Sequence, residues 1–107
     1  MRYTDSSMKY YKLVRDKIPA IIQDKGQTCT FHVAEEEEYE VKLKEKLREE
    51  IEEFLAKLHE EELADVMEVI EALMKFKGID RDRLERIKQQ KRDERGGFDA
   101  RCILDEA

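Results

Sequence analysis

The chain has little of what marks a secreted, membrane-spanning or multidomain protein. It contains two cysteines, four glycines and one proline in 107 residues. No apolar run approaches the roughly 20 residues of a membrane-spanning helix, and Met1 to Met8 lacks the apolar stretch of a secretion signal. Cys29 and Cys102 show no metal-type spacing, so the expectation is two reduced thiols in a cytoplasmic protein, packed as small hydrophobes. Pro- or Gly-rich linkers and internal repeats are missing too. The chain therefore reads as a flexible N-terminal tail over residues 1–8 followed by one helical domain over residues 9–107. An excess of positive charge is also lacking: the formal net charge is -6, which argues against nucleic-acid binding, because phosphate neutralisation needs surplus Lys and Arg on one face.

What the chain has in abundance is charge, at 45% of residues, set against 40% hydrophobic residues. At this length only a modest core can form. Helices with one apolar stripe would then leave surface that a single copy cannot cover, so a homodimer or homotetramer is expected. The predicted first helix has Asp16 as its cap, Pro19 in its opening turn and Gly26 at its end. Gln27 to Val33 favours a short strand, with Arg101 to Leu104 as a possible partner. Long helices are expected over Ala34 to about Leu58 and Glu60 to about Lys77, the second stopped by Gly78. Asp80 then caps a last helix that runs to Arg95 and halts at Gly96-Gly97. The fold class is all-α, a four-helix-type bundle with at most a minor two-stranded element. Lys57 to Glu60 carries no Gly or Pro. It reads either as a turn or as continuous helix, and a continuous rod would keep the two acidic helices from facing each other.

Two acidic motifs sit in these helices, Glu49-Glu50-Ile51-Glu52-Glu53 and Glu62-Leu63-Ala64-Asp65. Residues three apart share a helix face, so Glu50 with Glu53, and Glu62 with Asp65, form carboxylate pairs that could together hold divalent cations. At about 100° per residue, Glu62 falls within the apolar arc of Leu63, Val66, Met67, Val69, Ile70, Leu73 and Met74, with Asp65 at its edge. A carboxylate there is partly buried and needs a cation, a donor or a metal. In the preceding helix Leu43, Leu47, Ile51, Phe54 and Leu58 define the stripe. Glu50 lies on its border, Glu53 one step further round, and Glu52 points away.

Ordinary ion pairs compete with this reading: Lys46 is placed to meet Glu49 and Glu50, and Lys57 to meet Glu53. Glu35 to Glu38 is best explained as negative charge at a helix start. His32 and His59 lack zinc-type partners and read as surface or packing residues. A complementary basic feature lies further on, from Arg81 to Arg95. Leu84 and Ile87 mark the apolar face of that helix, and Lys91 and Arg95 fall on the same side, where they either snorkel or recognise phosphate oxygens. Lys12, Arg15 and Lys17 form a second basic group before the first helix. Acids that attract cations beside bases that attract phosphate suit a metal-dependent enzyme acting on phosphates.

The run Lys12-Leu13-Val14-Arg15-Asp16-Lys17-Ile18-Pro19, the motif from Glu49 to Glu53, Glu61-Glu62-Leu63-Ala64-Asp65-Val66, and Arg95-Gly96-Gly97-Phe98 together resemble the MazG-like, phosphoribosyl-ATP-pyrophosphohydrolase-like proteins. The resemblance covers nearly the whole chain after Met8. It implies an all-α nucleotide pyrophosphohydrolase, usually oligomeric, in which Mg²⁺, or Mn²⁺ in its place, is held by Glu49, Glu50, Glu53, Glu62 and Asp65. Lys91 and Arg95 resemble the basic residues that follow the second motif in such enzymes. The leading expectation is hydrolysis of a nucleoside triphosphate to monophosphate and pyrophosphate. Glu50 or Glu53 would accept the proton of water, while Lys12, Arg15, Lys91 and Arg95 would meet the substrate. The alternative is a non-enzymatic helical interaction module, with solvated acids and apolar stripes that drive dimerisation.

Overall fold

A computed structural model describes residues 11–107; the expected tail over residues 1–8 lies outside the described residues. Among the described residues four helices account for the regular structure, in the order α1 (Ile18–Asp24), α2 (Glu36–Lys57), α3 (Glu60–Lys77) and α4 (Arg81–Arg95). The fold is thus all-α, in keeping with a helical bundle. Among the described residues there is no strand. Gln27 to Val33, where β-branched and aromatic residues favour a strand, is irregular instead, and an isolated strand without a ladder partner has nothing to hold it. The chain divides into two compact units, the first ending at Leu73 and the second comprising Met74–Ala107. No helix among the described residues is long and apolar enough to cross a membrane.

In the first unit α1 is brief. Its cap is Lys17, which makes no side-chain capping bond, so Asp16 does not fill the expected role; Pro19 does occupy the first turn. Gly26 adopts φ +77 beyond the helix end and donates its N–H to Gln23 O. Such a left-handed residue closes a helix at little cost only when it lacks a Cβ.

The core follows one stripe on each long helix. On α2, Leu43 is 1% exposed and Glu50 7%, with Leu47 and Phe54 half-buried between and beyond them. At about 100° per residue these four positions stay within roughly 40° of Leu43, whereas Ile51 lies about 80° away. The buried face is therefore centred on Leu43, Leu47, Glu50 and Phe54, and Ile51 and Leu58 are exposed. On α3, Val66 and Val69 are buried on the face that also carries Glu62. Leu63, Met67 and Ile70, from the outer part of the expected arc, are exposed.

Between the two helices the chain breaks. Leu58 takes a left-handed conformation with φ 55 and ψ 35, its N–H donating to Phe54 O, and α3 begins at Glu60. The segment left open between turn and rod is thus a turn, made by a residue type that gives no turn signal. A left-handed residue with a Cβ costs roughly 1–2 kcal/mol, and Leu58 offsets little of that by burial, being 67% exposed. Leu58→Asn is accordingly expected to stabilise the protein by about 1 kcal/mol, since asparagine tolerates this conformation. Thermal unfolding followed by circular dichroism checks this, and a lowered midpoint would count against strain at the turn.

In the second unit, Asp80 caps α4 by accepting the Arg83 N–H at 2.8 Å, and the helix ends at Arg95 before Gly96 at φ +83. Both boundaries match the sequence signals. Its sides do not: every residue of α4 is exposed, including Leu84, Ile87, Lys91 and Arg95. Two apolar side chains among fifteen residues supply too little surface to bury a helix, so Lys91 and Arg95 do not point inward as expected. Cys102 is likewise exposed and not packed, whereas Cys29 is half-buried with Sγ 3.9 Å from Pro19 O; both thiols are free.

Candidate functional site

The turn at Leu58 returns α3 alongside α2. On one continuous rod Glu50 and Asp65 would stand about 22 Å apart at 1.5 Å per residue. Here the charge of Asp65 is felt directly at Glu50, along with that of Glu53. The hairpin thus brings Glu49, Glu50 and Glu53 of α2 to the same place as Asp65 of α3. Glu62 belongs to the group through its own helix, one turn before Asp65, on the face shared with Val66 and Val69.

Burial distinguishes the acids. Glu50 is the only charged side chain classed with the core among the described residues. Its Oε1 lies 3.3 Å from Lys46 Nζ, while Oε2 is buried with no hydrogen-bond partner. Desolvation comes first among the causes that raise the Glu50 pKa above the ordinary carboxylate range, with Glu53 and Asp65 adding repulsion and Lys46 opposing them. The side chain of Glu62 is 14% exposed, its Oε1 also buried and without a hydrogen bond; His59 Nδ1 is 4.0 Å away. Glu50 is thus the more deeply buried of the two, which reverses the ranking from helical angle alone. The sequence signal was present: Glu50 lies seven residues after Leu43, a heptad step that returns to the same face.

Glu49 experiences the opposite balance. Burial works to raise its pKa, but the hydrogen bond from Lys12 and the charge of Lys46 outweigh it and hold the carboxyl below its ordinary value. Lys46 Nζ stands 3.5 Å from Glu49 Oε1, so both ion pairs expected for Lys46 form. Lys12 Nζ donates to Glu49 Oε1 at 2.9 Å, and that bond, reinforced by the negative charge of Glu53 and Glu50, raises the lysine pKa. Three residues on, Arg15 Nη2 donates to Asp65 Oδ1 at 2.7 Å. Lys12 and Arg15 therefore reach the acidic site from a single short segment, one to each helix. Periodicity could not reveal these partners, which are 37 and 50 residues away in sequence.

Carboxylate oxygens are by type the donors that a hard divalent cation takes, and two of them, Glu50 Oε2 and Glu62 Oε1, are buried here without a hydrogen bond. Among the described residues no three or more potential ligands are gathered as a ready-made metal-holding group; Lys12, Lys46 and Arg15 occupy three of the carboxylates. Lys91 and Arg95 lie on α4 in the second unit, exposed to solvent. Elsewhere, a surface depression of about 720 Å³ is lined by His32, Val33 and Glu35 to Glu38. His32 Nε2 pairs with Glu38 Oε1 at 2.8 Å there, and the acidic lining would repel phosphate.

The buried charge has a consequence for stability. Because the folded-state pKa of Glu50 is raised, the folded protein binds this proton more tightly than the unfolded chain does. Stability associated with the protonated acid is present below the unfolded value, near pH 4, and is lost as pH rises through the folded value. Glu50→Gln should therefore raise stability by about 1 kcal/mol at pH 7 in chelator-treated protein. The gain should shrink towards zero near pH 4. Urea unfolding at both pH values measures this, and an equal gain at the two would refute the linkage.

No family model matches the chain, and neither a curated protein nor a solved structure is detectably similar to it.

Proposed function

We propose that this protein is a cytoplasmic Mg²⁺-dependent nucleoside triphosphate pyrophosphohydrolase. One observation carries the reading furthest: a core-buried carboxylate, Glu50, has an unpartnered oxygen within a group of acids contributed by two helices. Lys46 meets only one of its two oxygens, and leaving the other buried without a hydrogen bond carries a desolvation cost that a bound cation would offset. The order of the four sequence landmarks supports the same reading.

Glu49, Glu50, Glu53, Glu62 and Asp65 are the residues that would hold the metal. Bound Mg²⁺ would supply charge neutralisation at the phosphates and a lowered pKa for the attacking water. Glu50 or Glu53 accepts the water proton, and burial raises the basicity of Glu50. Water oxygen bonds to phosphorus as the α–β bridging P–O bond breaks, giving nucleoside monophosphate and pyrophosphate. Lys12 and Arg15, which reach the acids of the site, would meet the anionic substrate once those acids turn to the metal, and Lys91 and Arg95 of the second unit have the chemistry for phosphate oxygens. Pyrophosphate release from a panel of nucleoside triphosphates, with and without Mg²⁺, tests the proposal. No release from any of them would reject it.

A second reading rests on apolar exposure. Ile51 and Leu55 on α2, Leu58 at the turn that follows, and Leu63, Met67 and Ile70 on α3 remain exposed, as a face for a second copy would require. Alone, this describes an interaction module; with the acidic site, it describes an oligomeric enzyme. Thermal stabilisation by Mg²⁺ that disappears in Glu62→Ala/Asp65→Ala distinguishes the enzyme from the module.

A further inference from the structure

We propose that Lys12 and Arg15 are the resident cations of the acidic site, holding Glu49 and Asp65 until a divalent cation displaces them. The inference rests on the metal-binding reading above and assigns these two residues a role that precedes any contact with substrate.

Three observations converge. First, the ion pairs are directed: one segment sends Lys12 to Glu49 on α2 and Arg15 to Asp65 on α3, at 2.9 and 2.7 Å. Lys12 and Arg15 are at most about 11 Å apart along an extended chain, so both reach the group at once. Second, compensation is uneven. Every carboxylate oxygen that Lys12 and Arg15 meet is satisfied, whereas Glu50 Oε2 and Glu62 Oε1 are buried without a hydrogen bond. Two side chains tethered outside the hairpin satisfy its outer acids and leave those deepest oxygens for a smaller ion. Third, the acids do not form a ready-made ligand group among the described residues, and Lys12 and Arg15 occupy oxygens of Glu49 and Asp65 that such a group would draw on.

The contacts suit exchange. Both pairs are partly solvent-exposed, with Lys12 and Arg15 side chains about half accessible, and exposed pairs of this kind are weak and reversible. A divalent ion brings the same total charge as the two side chains it replaces. Displacement keeps the site near neutrality and frees two donors beside it, where the phosphates of a metal-bound substrate would arrive.

Binding of Mn²⁺ to metal-free protein, read by the paramagnetic resonance of free Mn²⁺, tests the proposal without relying on activity. Lys12→Met/Arg15→Met should bind Mn²⁺ about 3- to 10-fold more tightly than wild type, because two weak competing ion pairs are gone. Lys17→Met, which removes one charge from the same segment without touching these pairs, should change the affinity less than about twofold. Lys12→Arg/Arg15→Lys, which keeps both cations, should restore the wild-type value. Saturating Mn²⁺ should also accelerate amide hydrogen exchange over residues 11–17 in the wild type as the segment is released. Wild-type binding with no gain in the double Met variant beyond that of Lys17→Met, or unchanged exchange over residues 11–17, overturns the resident-cation proposal and leaves the metal site standing. Absence of Mn²⁺ binding in every variant overturns both.

Discussion

Glu62→Ala is expected to lower Mg²⁺-dependent pyrophosphate release by about 100-fold or more while the protein stays folded, since loss of a metal ligand removes several kcal/mol of transition-state stabilisation. The folded state should tolerate the change because Glu62 brings a buried oxygen without a hydrogen bond and because alanine favours helix more than glutamate does. Loss of activity with a retained melting temperature would place Glu62 in the proposed chemistry; loss of both would make it structural. Glu49→Ala should have a smaller effect, about tenfold, in the range of residues that support a metal site. Its carboxylate is already neutralised by Lys12 and Lys46. Equal effects of the two substitutions would contradict the uneven compensation from which these expectations derive. Activity that survives Glu62→Ala unchanged would reject the proposed site altogether.

Much of the fold was legible because its signals are local. The stop of α3 before Gly78, the Asp80 cap and the stop after Arg95 each depend on residues within one helical turn, as do the ion pairs of Lys46 with Glu49 and Glu50. The failures have separate causes. Leu58 marks a turn through its backbone and not its residue type, so no composition rule would find it. A stripe that also takes in Ile51 and Leu58 leaves Glu50 on its border and misorders the burial of Glu50 and Glu62; following Leu43, Leu47 and Phe54 alone moves the centre of the α2 stripe about 20° towards Glu50 and places it inside. Gln27 to Val33 has strand-forming side chains but no ladder. The partners of Lys12 and Arg15 depend on two helices folding back across the turn, information that no window along the chain contains. Within the site, helical periodicity placed the acids on their faces, and tertiary contact decided which of them receive a cation.

Leu43→Ala is expected to cost about 3 kcal/mol of stability, within the range for truncating a fully buried leucine. Leu43 is 1% exposed and is the largest fully buried side chain among the described residues. Only a small group of side chains accompanies it, since Ile22, Val66 and Val69 complete the buried hydrophobic set of the first unit among the described residues. In a small protein, whose total stability is of the order of 5–15 kcal/mol, that loss would lower the melting temperature by roughly 10 °C or more. Ile51→Ala, on the same helix but 37% exposed, should cost about 1 kcal/mol or less in the isolated chain, because part of its surface is already in water. Urea unfolding of the two variants at equal protein concentration separates the cases. If Ile51→Ala proves as costly as Leu43→Ala and its cost grows with protein concentration, the exposed stripe is buried by a second copy. If the two costs are equal at every concentration, the buried face of α2 is not centred on Leu43. Because Glu50 lies on that face, its burial and its unpartnered oxygen would then require a different packing of α2 against α3.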